Sequence, residues 1–320
     1  MINKLHQARA FIGNTPLIQL ENKRIEMFAK LEYHNLMNSI KVRPAYHILK
    51  TAIQKGEITS KTTVIESSSG NFGIALAALC KQLQIKFIPV IDANINSAYE
   101  DILYALSYRV EKVTERDGTG GYLLNRLQRV EELLQKTPHS YWPNQYENPL
   151  NYESHYYGLG SEIAHHFETL DYAFIGVSTG GTIAGISQRL KEKFPHIKIV
   201  AVDLVGSVIF GGPPKMRHIP GIGASMVPKQ IERALIDDVV MVEELDAIRG
   251  CHRLFEEHGV FAGGSSGSCY HAIHCYFSKM ELAQRPKVVF LCPDGGTAYV
   301  KTVYNDEWVA HLRQKEHVTN

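Results

Sequence analysis

Along this chain, short apolar runs alternate with longer stretches in which apolar residues recur at helical spacing. After a turn at Gly13-Asn14-Thr15-Pro16, the runs Leu17–Leu20 and Met27–Leu31 predict short strands. A polar turn, Asn35-Leu36-Met37-Asn38-Ser39-Ile40-Lys41-Val42-Arg43, leads into an apolar helix-forming run from Pro44 to Ile53. A regular rhythm follows: strand Thr63–Glu66, helix Phe72–Leu83, strand Phe87–Ile91, helix Ser97–Ser107 and strand Arg109–Val113. From Gly121 to Gln135, Leu123, Leu127, Val130 and Leu134 mark a further helix.

The second half repeats the rhythm. Helix Tyr152–Phe167, strand Tyr172–Val177, a helix ending at Lys193 and strand Ile197–Val202 precede an irregular stretch from Asp203 to Asp238. Strand Val239–Val242, helices Glu243–His258 and Ser266–Lys279 and strand Lys287–Leu291 complete the set. Strands alternating with helices at this pitch predict right-handed crossovers and parallel sheets, an α/β fold. A length of 320 residues suits two packed domains or one large one, and the break between halves is expected near residues 140 to 150.

Composition narrows the partners. The 34 Lys and Arg nearly cancel the 33 Asp and Glu, and no basic run is present, which argues against nucleic acid. Cys80, Cys251, Cys269, Cys275 and Cys292 form an odd set without a Cys-x-x-Cys pair, as expected of reduced thiols in a cytoplasm. Nothing reaches the ~18 apolar residues of a membrane span, and no signal peptide is apparent, so small molecules are the expected partners. His165-His166, His271 with His274, and Cys251-His252 lack a closed ligand set, so no metal is expected. Trp142 is assigned to packing.

Three polar, glycine-rich turns carry the candidate chemistry. Glu66-Ser67-Ser68-Ser69-Gly70-Asn71-Phe72-Gly73 joins a strand to a helix, where free amides and the helix dipole form either an anion site or a plain N-cap. Gly176-Val177-Ser178-Thr179-Gly180-Gly181-Thr182 does the same with hydroxyls suited to a phosphate. A Walker loop requires lysine where Thr182 stands, and the dinucleotide fingerprint requires glycine where Ser178 stands. The expectation is therefore a phosphate monoester held without lysine, with a purely structural tight turn as the alternative. The third turn, Gly259 to Ser268, opens the helix containing Cys269 and Cys275. In open parallel sheets such turns converge beyond the carboxyl ends of the strands.

Taken together, the lysine turn, Ser69-Gly70-Asn71, Ser178-Thr179-Gly180-Gly181-Thr182 and Gly264-Ser265-Ser266-Gly267 resemble the fold-type II pyridoxal phosphate enzymes of the cysteine synthase group. The likeness runs from Gly13-Asn14-Thr15-Pro16-Leu17 to Pro293-Asp294-Gly295-Gly296. Gly206–Gly211, Ile219–Ser225 and Asn144-Gln145-Tyr146 are similar to its siderophore-pathway branch, which makes a diaminopropionate precursor from O-phosphoserine and glutamate. The resemblance implies a tryptophan synthase β-like fold, with a smaller, mobile domain over 36–147 and a larger one over 1–35 and 148–320, the site in the cleft between them. It also implies a homodimer and pyridoxal 5′-phosphate as cofactor.

By residue, the resemblance implies that Lys41 holds the cofactor's aldehyde covalently and, once freed, removes the substrate's α-proton. Ser178, Thr179, Gly180, Gly181 and Thr182 would cradle the cofactor phosphate, Asn71 would meet the ring's 3′-oxygen and Ser265 its nitrogen. Ser68, Ser69 and Gln145 would bind the amino-acid carboxylate. Arg126, Ser178 and Tyr146 are candidates for the anionic leaving group, with Arg217 and Lys215 as weaker cations; a solvated helix arginine remains the alternative for Arg126. The chain departs from the family pattern at Leu36, Asn38, Val42 and Phe72, where proline, glycine, aspartate and threonine are usual. Those departures leave other readings open: a cysteine synthase or cysteine-degrading enzyme, a β-eliminating deaminase, or a scaffold without activity.

Overall fold

The computed structural model describes residues 1–118 and 120–318. Helix α1 (Ile2–Ala8) precedes strands β1 (Leu17–Leu20) and β2 (Glu26–Leu31), and helix α2 (Val42–Gln54) begins immediately after Lys41. Then come β3 (Thr63–Ser67), α3 (Asn71–Leu83), β4 (Lys86–Asp92), α4 (Ser97–Leu106), β5 (Glu111–Val113), α5 (Leu123–Lys136) and β6 (Ser140–Tyr141). These four strands form one parallel sheet in the order β5-β4-β3-β6. β3 is buried at every position, as expected of a strand covered on both faces.

The second sheet collects both ends of the chain. After α6 (Leu150–Ser154), a π-helical turn His155–Gly160 and α7 (Ser161–His166) come β7 (Tyr172–Gly176), α8 (Gly181–Lys193), β8 (Lys198–Leu204) and β9 (Asp238–Val242). Helices α9 (Glu244–His258) and α10 (Gly264–Ser278), strand β10 (Lys287–Cys292) and helix α11 (Asp306–Val318) follow. The strand order is β1-β2-β10-β7-β8-β9, parallel except for the β1–β2 pair. Strand β10 therefore sits between β2 and β7, so residues 26–31 become part of the second sheet although α2 and β3 follow them directly in sequence. The chain thus forms two largely parallel sheets, as the rhythm of the sequence predicted.

Local differences from the sequence reading have physical causes. The single helix expected over Tyr152–Phe167 is interrupted by the π turn. Gly158 and Gly160 fall there, and glycine gives the weakest support to an ordinary helix apart from proline. Opposite them, α8 approaches so closely at Gly185 that a side chain there would overlap the Tyr152 carbonyl. Helices α1 and α11 and the two-residue strand β6 were not anticipated; α1 and α11 lie at the chain ends, and β6 is too short to show a period. The expected strand from Arg109 shrinks to Glu111–Val113, and the irregular stretch begins after Leu204, with a short 3₁₀ turn at Lys229–Arg233.

Candidate active site

The turns that follow β3, β7 and β10, the start of α10 and the lysine turn surround one cavity. Its lining includes Lys41, Asn71, Ser178, Thr179, Gly180, Thr182, Ser265 and Asp294. The turn after β10 joins the others. The Ile40 N–H donates to the Pro293 carbonyl at 2.8 Å, the Gly263 N–H donates to the Asp294 carbonyl at 3.0 Å, and Ser39 and Ala262 bridge to Asp294 and Gly295.

Lys41 is held from below. Arg43, two residues on, grips Glu32 at the end of β2 through two bonds, Nε to Oε2 at 2.6 Å and Nη2 to Oε1 at 2.8 Å. It also reaches Glu162 of α7 at 2.7 Å, and Lys30 completes the group at 2.8 Å from Glu162. Burial works to raise the Glu162 pKa, but Arg43 and Lys30 outweigh it and hold the carboxyl down to about 2. Such bidentate pairing fixes geometry as well as charge. Burial pushes the Lys41 ammonium down to about 8, against the pull of the Asp294 carboxylate. An amine in that range is a ready nucleophile toward an aldehyde and a usable base near neutrality.

The departures in this turn have a structural meaning. Asn38 stands at φ 52, in the left-handed region that glycine otherwise serves and that asparagine tolerates. Met37 also lies there, at φ 58, without that tolerance. Val42 and Phe72 are fully or almost fully buried in the core around α2 and α3.

The turn after β7 is formed by Gly180, whose φ of 81 opens α8, and by the first amides of that helix, which have no intrahelical acceptor. Ser178 donates to the Gly223 carbonyl at 3.2 Å. Gly181 is not among the lining residues; its missing side chain admits the Asn151 carboxamide instead. Thr182 Oγ1 lies 3.4 Å from Nε2 of His155, a residue of the π turn that is wholly buried. Burial, together with Lys41, Arg43 and His47, pushes the His155 pKa well below its ordinary value, so the ring is neutral; its Nδ1 has no partner.

On the side of the first sheet, Asn71 donates to Asp294 Oδ2 at 2.7 Å, and its carboxamide also lies beside the Tyr99 phenol. Asp294 also accepts from the Tyr299 hydroxyl at 2.7 Å. Ser68 accepts from the Gly73 N–H at 2.9 Å, so its own proton remains available. Ser69 is more committed: it donates to Asp92 Oδ2 at 2.8 Å and accepts from Arg126 Nη1 at 3.0 Å. Arg126 Nε lies 3.3 Å from Asp92 Oδ2, and the guanidinium opposes the rise that burial imposes on the Tyr146 phenol. Arg126 is thus neither solvated nor free. Gln145 is buried, donating to the Ser67 carbonyl at 3.2 Å. Ser265 is buried in the first turn of α10.

Several groups escaped the sequence reading: Asp294, Asp92, His155, the Arg43 network and Glu66. Burial pushes the Glu66 carboxyl up to about 8 against nearby Trp142 and backbone amides of Ser67, Asn144 and Gln145. Neither its oxygens nor Trp142 Nε1 completes a hydrogen bond of good geometry. The assignment of Trp142 to packing is therefore incomplete, since its indole also faces a buried acid. The one available signal was Glu66 itself, a charged residue in an otherwise apolar strand. Among the described residues, no group of three or more His, Cys, Asp or Glu is arranged to hold a metal, and no helix is long and apolar enough to cross a membrane.

Comparison with known proteins bears on this cavity. Residues 8–294 match the family described as pyridoxal-phosphate dependent enzyme. The chain is 46% identical, over 94% of its length and 90% of the relative's, to an N-(2-amino-2-carboxyethyl)-L-glutamate synthase of Ralstonia nicotianae. It is 43% identical, over 97% of its length and 92% of the relative's, to one from Cupriavidus metallidurans. Among solved structures, an O-acetylserine dependent cystathionine β-synthase from Helicobacter pylori superposes with a TM-score of 0.86 at 29% identity, covering 93% of this chain and 98% of that one. A hydrogen sulfide-producing enzyme from Fusobacterium nucleatum gives 0.84 at 30% identity, covering 91% and 98%. The residues present fit the cofactor of this family. A lysine with depressed pKa, a helix start opened by a left-handed glycine and the Asn71 carboxamide share one cavity.

Proposed function

Because the chain belongs to the pyridoxal-phosphate-dependent enzymes, we propose that it replaces the phosphate of O-phospho-L-serine with L-glutamate, forming N-(2-amino-2-carboxyethyl)-L-glutamate. In balance, the Cβ–O bond breaks and an N–Cβ bond forms, the glutamate ammonium gives up one proton, and phosphate leaves carrying one. The observation that carries this reading is the meeting of Lys41 and a phosphate turn at one cavity, in a chain 46% identical to a synthase of that name.

When bound, pyridoxal phosphate supplies an electron sink for the substrate's α-carbon. Lys41 would hold its aldehyde, the 178–182 turn its phosphate, Asn71 its 3′-oxygen and Ser265 its ring nitrogen. The chain's own residues do the rest. The Lys41 amine, with its pKa near 8, takes the α-proton and returns it after replacement. Ser68, whose proton is uncommitted, binds the amino-acid carboxylate with Ser69 and Gln145. Arg126, steered by Asp92 and beside Tyr146, meets the departing phosphate together with Ser178. Residues 36–147 form the smaller body that closes over the substrate and excludes water. A cytoplasmic homodimer serving a siderophore pathway belongs to the same reading, and exposed Phe11 and Tyr157 offer apolar surface for such a contact.

The test is to mix the purified holoenzyme with O-phosphoserine and either glutamate or sulfide, and to follow phosphate release and product mass. Glutamate-dependent release is expected. Release supported by sulfide and not by glutamate would favour the second reading, suggested by the 30% identical hydrogen sulfide-producing relative. Lys41→Ala is expected to lose the visible band of bound cofactor and at least ~10³-fold in turnover. A variant that kept both would remove Lys41 from the mechanism.

A further inference from the structure

Lys41 and Asp294 line the same cavity with opposite charge, and they are held very differently. Among the described residues, the Lys41 amine makes no hydrogen bond or ion pair, so nothing ties it. Asp294 is fixed on every side. Its Oδ2 accepts from Asn71 Nδ2 and from the Tyr299 hydroxyl, both at 2.7 Å. Asn71 begins α3 and Tyr299 follows β10, so the carboxylate is gripped from the sides of both sheets. Oδ1 is buried without a partner against Gly263, where any side chain would overlap it. The backbone seats the residue beside the lysine turn: the Ile40 N–H donates to the Pro293 carbonyl at 2.8 Å, and Asp294 bridges to Ser39.

The charges around the pair leave them facing each other. Burial raises the Asp294 pKa, and Tyr299, Asn71 and Lys41 oppose that rise; two donors on one oxygen favour the ionised form. Tyr99 of α4, Tyr299, Cys251 of α9 and Cys292 of β10 also face Asp294, and burial pushes all four up, so they stay neutral. On the lysine's side, burial keeps His155 neutral, and Arg43 is spent on Glu32 and Glu162. Burial drives the Lys41 ammonium toward neutrality, and Asp294 opposes it. A contact ion pair would hold the lysine protonated and away from an aldehyde. A carboxylate set back in a low-dielectric cavity leaves the amine reactive while its field still acts.

We propose that Asp294 is a positioning residue acting through Lys41: its fixed carboxylate steadies the ammonium that forms when the lysine has taken the substrate's α-proton, and so sets the pH range in which the lysine serves as base. This rests on the role given to Lys41 above. The proton passes from the α-carbon to Lys41 Nζ, stays there while the Cβ–O bond breaks, and returns after the N–Cβ bond forms. Asp294 itself neither gains nor loses a proton.

The test compares wild type with Asp294→Asn, which keeps an acceptor for Asn71 and Tyr299 and removes the charge, and with Tyr299→Phe, which keeps the charge and removes one donor. Two readouts are followed between about pH 6 and 10: the rate at which the full chain, freed of cofactor, takes up pyridoxal 5′-phosphate, and kcat of the holoenzyme with saturating O-phosphoserine and glutamate. Both rise as the Lys41 amine becomes neutral. Without the carboxylate the ammonium is less stable, so both midpoints are expected about one pH unit lower in Asp294→Asn, with plateau kcat down about 3-fold because the amine is a weaker base. Tyr299→Phe should shift them less, in the same direction. A carboxylate with a merely structural role would lower the melting temperature and move neither midpoint. Unmoved midpoints in Asp294→Asn, or in Tyr299→Phe should the first variant not fold, overturn this proposal alone. A wild type whose uptake of pyridoxal 5′-phosphate does not need Lys41 overturns the reading it rests on, and this proposal with it.

Discussion

The turns after β3 and β7 are built alike, each a run of small polar residues and glycine between a buried strand and a helix, yet they would offer a ligand different partners. After β7, the site is mostly backbone: Gly180 turns the chain and the first amides of α8 are left open. After β3, the hydroxyls are tied into charges, with Ser69 between Asp92 and Arg126 and Asn71 on Asp294. A permanently held phosphate suits fixed amides, which need no rearrangement. A substrate that arrives and leaves suits side chains already arranged by their neighbours, at the cost of keeping an arginine partly neutralised. On the proposed roles the contrast would separate cofactor retention from substrate turnover, and variants on each side should respond accordingly.

The largest effect is expected on the β3 side. Arg126→Ala should lower kcat/KM for O-phosphoserine by ~100-fold, since it removes a charge-assisted contact and leaves Asp92 without its counter-ion. Cofactor affinity should change little; an equal loss in both would break the separation. On the β7 side the pattern should reverse. Thr182→Val, which also strands His155 Nε2, should weaken cofactor binding by ~10-fold, read from titration of the apoprotein, with the O-phosphoserine KM intact once the cofactor saturates. A raised KM instead would show that the two turns act on the same ligand.

The smallest effect concerns pH. Glu66, directly before the β3 turn, has a folded-state pKa of about 8 against an ordinary 4.5, so the folded protein binds its proton more tightly than the unfolded chain does. Its contribution to stability is complete below pH 4.5 and is lost as pH rises toward about 8. Glu66→Gln should therefore lessen the decline in melting temperature across that window by a few degrees, and leave stability at acid pH close to wild type. Parallel wild-type and variant profiles would mean that Glu66 is already ionised, held by Trp142 and the amides of residues 144 and 145.

Much of the architecture was readable in advance because it depends on local period. The strand Tyr172–Gly176 is a continuous apolar run, and the helices between strands keep a 3.6-residue rhythm. The π turn was not readable, because it arises where α8 presses on the 152–160 segment at Gly185. The site divides in the same way. Lys41 and the three polar turns were legible as types of residue at the starts of helices. Asp294 was present in a quoted motif without a role, and its contact with Asn71 spans 223 residues of sequence.

By itself, the sequence determined the αβ alternation, the parallel sheets and the residue types at the cavity. These follow from side-chain period and from the preference of anions for helix starts, both properties of a few neighbouring residues. Only the tertiary structure decided which charges are spent and which are free. It matched Arg126 to Asp92, gave Arg43 to Glu32 and Glu162 and buried Glu66 beside Trp142. Whether a charged side chain is available to a ligand depends on burial and on partners distant in sequence, and those are set when the sheets and their loops pack together.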